Sequence, residues 1–168
     1  VPLGSPQPDF YYGFRNTLSY KNWTLDIFIQ GMQGNEILDG SVYEEYYGRG
    51  PETNMLPIVA DRWTVNNQTS DIPRAGTSAG GYRPMSSLNV VDGSYLRLRN
   101  VTLSYDFDLS FADSASVYAT GNNLLLLTNY QWGDPEVSDS GTGSVAQGVS
   151  IDQYPYSTSL AVGFRLNL

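Results

Sequence analysis

The chain has 168 residues, a net charge of -8 and neither Cys nor His. That composition removes disulfides, thiolate chemistry and the commonest general base and metal ligand. Lys and Arg number only nine and are scattered singly apart from Arg97 and Arg99, so the chain lacks the basic footprint of a nucleic-acid binder.

The longest unbroken aliphatic run is Leu124 to Leu127, far short of the roughly 20 apolar residues a membrane-spanning helix requires. A β-barrel stays open. The opening Val-Pro-Leu-Gly carries no initiator Met and no signal-peptide pattern, and is expected to belong to a processed chain or a piece of a longer one.

Residues 1 to 9 are rich in Pro and read as a loop. From Phe10 to Tyr20 the even positions are Phe, Tyr, Phe, Asn, Leu and Tyr, an alternation of period two with Asn16 as its misfit. Lys21-Asn22 makes a tight turn, and a second strand follows with Trp23, Leu25, Ile27 and Ile29 on one face and Thr24, Asp26 and Gln30 on the other. Phe28 is the exception there. Gly31 to Val91 shows no sustained periodicity and reads as a functional loop of unusual length, with a short helical turn at Asp61-Arg62-Trp63-Thr64.

The third strand runs from Ser94 to Phe107. Leu96 and Leu98 share one side of the pleat, but after Asn100 the apolar residues move to the odd positions Val101, Leu103 and Tyr105. One extra residue near Arg99 and Asn100, a β-bulge, keeps a single face apolar through that change of phase. Asp108 to Asp113 gives a short turn, and residues 115 to 126 a fourth strand. Thr128 to Tyr156 is a second long polar loop. The closing strand sets Leu160, Val162, Phe164, Leu166 and Leu168 on one face and Ala161, Gly163, Arg165 and Asn167 on the other.

Short turns therefore fall at one end of five antiparallel strands and long loops at the other. The strands approach the length needed to cross a bilayer at a tilt, and Arg15, Asp26, Arg97, Arg99 and Arg165 all oppose the apolar face, as they would in a watery lumen. Tyr20, Trp23, Tyr105 and Phe107 sit at strand ends, where a membrane interface suits them. The expected fold is all-β: antiparallel strands forming the last part of a transmembrane β-barrel wall, with two long extracellular loops, as one unit over residues 1 to 168. The alternative is a soluble secreted β-sandwich that binds glycans, with the apolar face turned inward.

Six segments in chain order carry a resemblance. They are Tyr-Gly-Phe-Arg-Asn-Thr-Leu-Ser-Tyr-Lys from Tyr12 to Lys21, Asp61-Arg62-Trp63, the stretch from Asp92 to Tyr105, Gly121-Asn122-Asn123-Leu124, Gly133-Asp134-Pro135-Glu136 and Asp152-Gln153-Tyr154-Pro155. Together they resemble the C-terminal end of the SusC/RagA family of TonB-dependent outer-membrane transporters, over nearly the whole chain. The resemblance implies barrels of twenty-two strands in the outer membrane of a Gram-negative bacterium, with an N-terminal plug that TonB engages. It also implies a SusD-like lipoprotein partner, contact with outer-membrane lipid, and import of oligosaccharides or peptides. This chain would be the last strands of that wall, without the plug.

Candidate substrate- or partner-facing residues are Tyr46, Tyr47 and Trp63 in the first loop, Tyr130 and Trp132 in the second, and Arg97 and Arg99 on the lumen face. The loop aromatics suit stacking on a sugar ring or packing on a partner, against the alternative that each loop packs on itself. The arginines suit the plug or an anionic solute, against structural pairing with Asp26 or another wall residue. Asp134, Glu136, Asp139 and Asp152 offer oxygens but lack a Ca²⁺-loop spacing and are expected to be solvated acids. No catalytic pair or cofactor site is expected, and no enzyme activity.

Overall fold

A computed structural model describes residues 2–40, 54–55, 57–72, 74, 86–131, 133–136, 147–151 and 154–167. Five strands, β1 (Phe10–Tyr20), β2 (Trp23–Gln33), β5 (Tyr95–Leu109), β6 (Ala112–Thr128) and β8 (Ser159–Asn167), form one antiparallel sheet in the order β1-β2-β5-β6-β8. All five expected strands are present. The second gains two residues, the fourth extends at both ends, and the turn placed at Asp108 to Asp113 tightens to Ser110-Phe111. Lys21 takes φ 53° in the other tight turn.

The register decides which residues share a face. Tyr20, Trp23, Tyr105, Val117 and Phe164 form one row across the wall, and Leu18, Leu25, Leu103, Ala119 and Val162 the next. The opposite face carries Thr17, Asp26, Thr102, Thr120 and Ala161 in one row, with Arg15, Phe28, Asn100, Asn122 and Ser159 beside it. Arg165 pairs with Ser116 on that same polar face.

The bulge lies where the change of phase requires it. Phe28 pairs with Asn100 and Ile29 with Leu98, which leaves Arg99 as the extra residue of β5. The neighbouring β6 answers with Asn123 and Leu124 between its partners of Leu98 and Asn100, and Asn123 reaches φ 51° to do so. Phe28, out of pattern in its strand, also finds its reason. Phe28 lies over Gly13, where a Cβ would be 3.5 Å from its ring. The Tyr12 ring covers Gly31 and the Tyr118 ring covers Gly163, places that a Cβ would fill.

The apolar face is open. Leu160 is 78% exposed and Val162 80%, and Phe14, Leu18, Leu125, Leu127 and Phe164 are exposed beside them. The aromatics gather at its two ends. Trp23 and Tyr105 stand 4.7 Å apart at the tight-turn end, with Phe107 and Phe164 adjoining, and Phe10 and Tyr12 lie 6.0 Å apart at the other. From Phe10 to Tyr20 the strand climbs roughly 33 Å at about 3.3 Å per residue, or about 25 Å in height at a tilt near 40°, the height of a barrel's lipid band. Among the described residues no second large sheet covers this face, which the sandwich alternative requires.

The first long connection is more ordered than its sequence suggests. It holds β3 (Glu36–Asp39), β4 (Val90–Asp92) and two 3-10 turns, Pro57–Asp61 and Ser87–Asn89. The helical turn expected at Asp61 to Thr64 thus ends at Asp61, and Thr64 instead bridges to Asn67. From the second long connection comes β7 (Val149–Ser150), and the three short strands form a small sheet in the order β4-β3-β7. Short strands with no alternation to read are invisible to a periodicity argument.

Candidate functional site

Two arginines and a turn meet on the polar face of the wall. Pleat alternation points Arg97 there, opposite Gln30 on one side and Leu126 on the other, and the bulge turns Arg99 to the same side. The Arg97 guanidinium donates to Asp134 Oδ1, and the pair is sealed, with side chains 2% and 1% exposed. Asp134 also accepts from the Glu136 amide at 3.1 Å and the Tyr156 amide at 3.2 Å, so its carboxylate shapes the Asp-Pro-Glu turn as well as neutralising the arginine.

Glu136 collects two further donors. Gln30 Nε2 donates to its Oε1 at 2.8 Å and Arg99 Nη1 to its Oε2 at 3.0 Å. Arg97 Nε stands 3.0 Å from the same oxygen, but its N–H is not aimed at it, so that contact is coulombic and leaves a buried donor without a hydrogen bond. The Tyr156 ring lies 5.5 Å from the Arg97 guanidinium and 5.2 Å from that of Arg99, at cation–π distance of both. Asn123 completes the group: its Oδ1 accepts from Arg99 at 3.2 Å, and its Nδ2 donates to Ser157 O at 3.1 Å.

The wall partner foreseen for the arginines, Asp26, is engaged elsewhere, accepting from Arg15 Nε at 3.0 Å and Thr17 Oγ1 at 2.7 Å. Below the cluster the polar face continues as a ladder of amides and hydroxyls, in which Asn100 donates to Thr120 and Asn122 and Thr102 meets Thr120 at 2.8 Å.

Above it lies the rim. Tyr130 is buried, its hydroxyl donating to Asp39 Oδ2 at 2.6 Å and reaching Ser150 Oγ at 3.3 Å, so its ring packs within the loops. Trp63 is 36% exposed, and its amide donates to Ile72 O. Tyr46, Tyr47 and Trp132 lie outside the described residues, as do Asp139 and Asp152. Among the described residues no group of acids is placed to hold a metal ion. Sequence reasoning passed over Gln30, Asp39, Asn123, Ser150 and Tyr156. An acidic Asp-Pro-Glu turn and an Arg-x-Arg of opposite charge were a signal for the cluster, whereas nothing local marks Asp39.

No protein-family model matches the chain. It is 42% identical to the TonB-dependent receptor P26 of Formosa agariphila, over 99% of this chain and 18% of that protein. With SusC of Bacteroides thetaiotaomicron, also a TonB-dependent receptor, identity is 22% over 96% of this chain and 15% of that one. The fold matches the RagAB peptide importer in its open-open state with a TM-score of 0.81 at 26% identity, covering 98% of this chain and 18% of that one. The closed-closed state matches with a TM-score of 0.80 at the same identity, covering 97% and 18%. The chain thus spans less than a fifth of the length of these relatives. With that likeness running along almost every residue and the wall placing its apolar face outward, the chain belongs to the SusC/RagA family of TonB-dependent receptors, as a stretch of barrel wall.

Proposed function

We propose that the protein containing this chain imports oligosaccharides or peptides across the outer membrane of a Gram-negative bacterium, and that this chain is the C-terminal part of its barrel wall. The observation that carries the reading is the uncovered apolar face, bounded by aromatic rows and backed by a polar face that holds every charged residue of the strand interiors. An exposed apolar surface of that extent needs lipid or a partner, and the spacing of its aromatic rows suits lipid. The likeness to the RagAB peptide importer supports import, and among the cargo classes it lends weight to peptides.

In this reading TonB supplies the energy through an N-terminal plug elsewhere in the protein, and a SusD-like lipoprotein docks on the long connections. Of the candidate residues, Arg99 and Trp63 are open enough to meet solute or partner, while Arg97 and Tyr130 act from beneath. Tyr46, Tyr47 and Trp132 keep the same candidate role.

The orientation follows from placing the C-terminal strand's end in the periplasm, which puts Lys21-Asn22 and Ser110-Phe111 on that side and both long connections outside. Protease added to intact cells that express the full-length receptor should cut between residues 74 and 83 and spare Lys21. Of that stretch, 75 to 83 lie outside the described residues. Cleavage at Lys21 alone would invert the topology and remove the import reading.

A further inference from the structure

The outer face of the wall changes character within one step of the pleat. Tyr12, Gly31, Leu96 and Leu127 share a row across four strands, and just beyond them, toward the long connections, come Gln33, Ser94 and Asn129. The Tyr12 ring lies down over Gly31. Beside it the leucines and the amides enclose a depression of about 460 Å³, within the roughly 300–1,000 Å³ of small-molecule sites.

The lower side of this depression is apolar and the upper side is polar. Leu127 is 55% exposed below. Above, Gln33 Nε2 donates to Ser94 Oγ at 3.2 Å and the Gly34 amide donates to the same oxygen at 3.0 Å, which fills both acceptor positions of the hydroxyl. Asp92 Oδ1 accepts from the Ser94 amide at 2.9 Å, so the carboxylate is held at the lip, while its Oδ2 receives a long bond from Asn129 Nδ2 at 3.4 Å. Gln33, Asp92 and Asn129 are all exposed, on the face that meets lipid.

Height and charge limit what can sit there. The hydrocarbon band ends where leucines give way to amides, and the next several ångströms of a bilayer are its headgroup layer. No Lys or Arg lines the depression, so a phosphate would face the Asp92 carboxylate with no neutralising side chain. An ammonium group only donates, which would satisfy the carboxylate but leave the amide N–H groups of Gln33 and Asn129 unused. Sugar hydroxyls both donate and accept, and one of them can give a charge-assisted hydrogen bond to Asp92 Oδ2.

We propose, resting on the outer-membrane placement and orientation argued above, that this depression seats the saccharide headgroup of an outer-leaflet glycolipid. Asp92 and Asn129 bind its hydroxyls, and its acyl chains lie along Leu96 and Leu127.

The test uses the full-length receptor, purified in a polyoxyethylene detergent that carries no sugar and shown to be folded by its heat-modifiable migration. Monoglucosyl diacylglycerol, phosphatidylethanolamine and phosphatidylglycerol with identical acyl chains are offered together, and native mass spectrometry counts the lipids retained. The expected result is preferential retention of the glucosyl lipid. Combining Asp92→Asn with Asn129→Ala should weaken that retention roughly tenfold, the loss of two hydrogen bonds of ordinary strength, and leave the phospholipids unchanged. Asn129→Ala alone, at an exposed position with one long bond, should give part of the loss and decides the matter if the double variant does not assemble. Preference for phosphatidylethanolamine would mark an ammonium site and preference for phosphatidylglycerol an anionic one, and either overturns the proposal. So would no preference among the three, or a glucosyl preference that survives the substitutions. Retention needs neither cargo nor TonB, so a receptor that keeps the glucosyl lipid but takes up neither peptides nor glycans counts against the import reading alone.

Discussion

The two faces of the wall invert the burial order of a water-soluble protein. On one, Val162 and Leu160 stand about four-fifths exposed, while on the other a guanidinium and a carboxylate, Arg97 and Asp134, are almost wholly sealed. In a water-soluble domain that distribution would be unstable on both counts, because burial of apolar surface supplies the driving force and buried charge opposes it. The difference teaches that the wall's apolar residues are placed for a solvent of hydrocarbon, while its cohesion as a protein comes from backbone ladders and from polar packing on the inner side.

The strongest way to break the comparison is to empty the sealed pair. Arg97→Ala leaves Asp134 charged and unpaired, and should cost about 3–5 kcal/mol in unfolding of the full-length receptor in lipid, with Asp134→Asn milder because its oxygen can still accept. Denaturant titration of both variants compares a stranded carboxylate with a guanidinium that keeps Glu136 Oε2 3.0 Å from its Nε.

The next largest effect should come from the outer face. Val162→Arg is expected to cost about 2–4 kcal/mol near the bilayer midplane. The same change one residue away, Ala161→Arg, points to the polar face and should stay within about 0.5 kcal/mol. If the two substitutions cost the same, the assignment of faces is wrong.

Smaller again is a steric probe. At Gly31 a Cβ would fall on the Tyr12 ring and within 2.6 Å of Tyr95 O, so Gly31→Ala should cost about 1–3 kcal/mol, with the Gly31→Ala, Tyr12→Ala pair recovering part of it. The ring can move but the carbonyl cannot, which is why recovery should be partial. A double-mutant cycle on the refolded receptor reads that coupling.

The smallest effect concerns pH at the rim. Hydrogen bonds from Ser94, its side chain foremost and then its amide, with help from Asn129, hold the Asp92 carboxyl below its ordinary value of 3.8. A group whose folded pKa is depressed adds stability above the unfolded pKa and loses it as pH falls through the folded one. The stability difference between the receptor and its Asp92→Asn variant should therefore be flat above about pH 5 and shrink below about pH 4. A difference that grew on acidification would reverse the sign and refute the assignment.

The wall was legible because each of its rules is local. Alternation from Phe10 to Tyr20 and from Trp23 onward fixes which side chains share a face, and the slip of phase between Leu98 and Val101 demands one extra residue wherever a single face must stay apolar. The rim followed no such rule. Strands β3, β4 and β7 are too short for a period to show, and the partners that make them strands lie far off in sequence, as Leu38 and Val149 do.

The arginine cluster falls between these cases. Pleat geometry placed Arg97 and Arg99 on the inner face, but it left open whether the wall's own Asp26 or something else would neutralise them. The sequence by itself determined the strands, their faces and the bulge, since those depend on neighbours one to three residues apart. Only the tertiary structure decided that the Asp-Pro-Glu turn folds back onto the arginines and that Tyr130 reaches Asp39. Both contacts join segments whose approach is governed by the path of long connections, which no local pattern encodes.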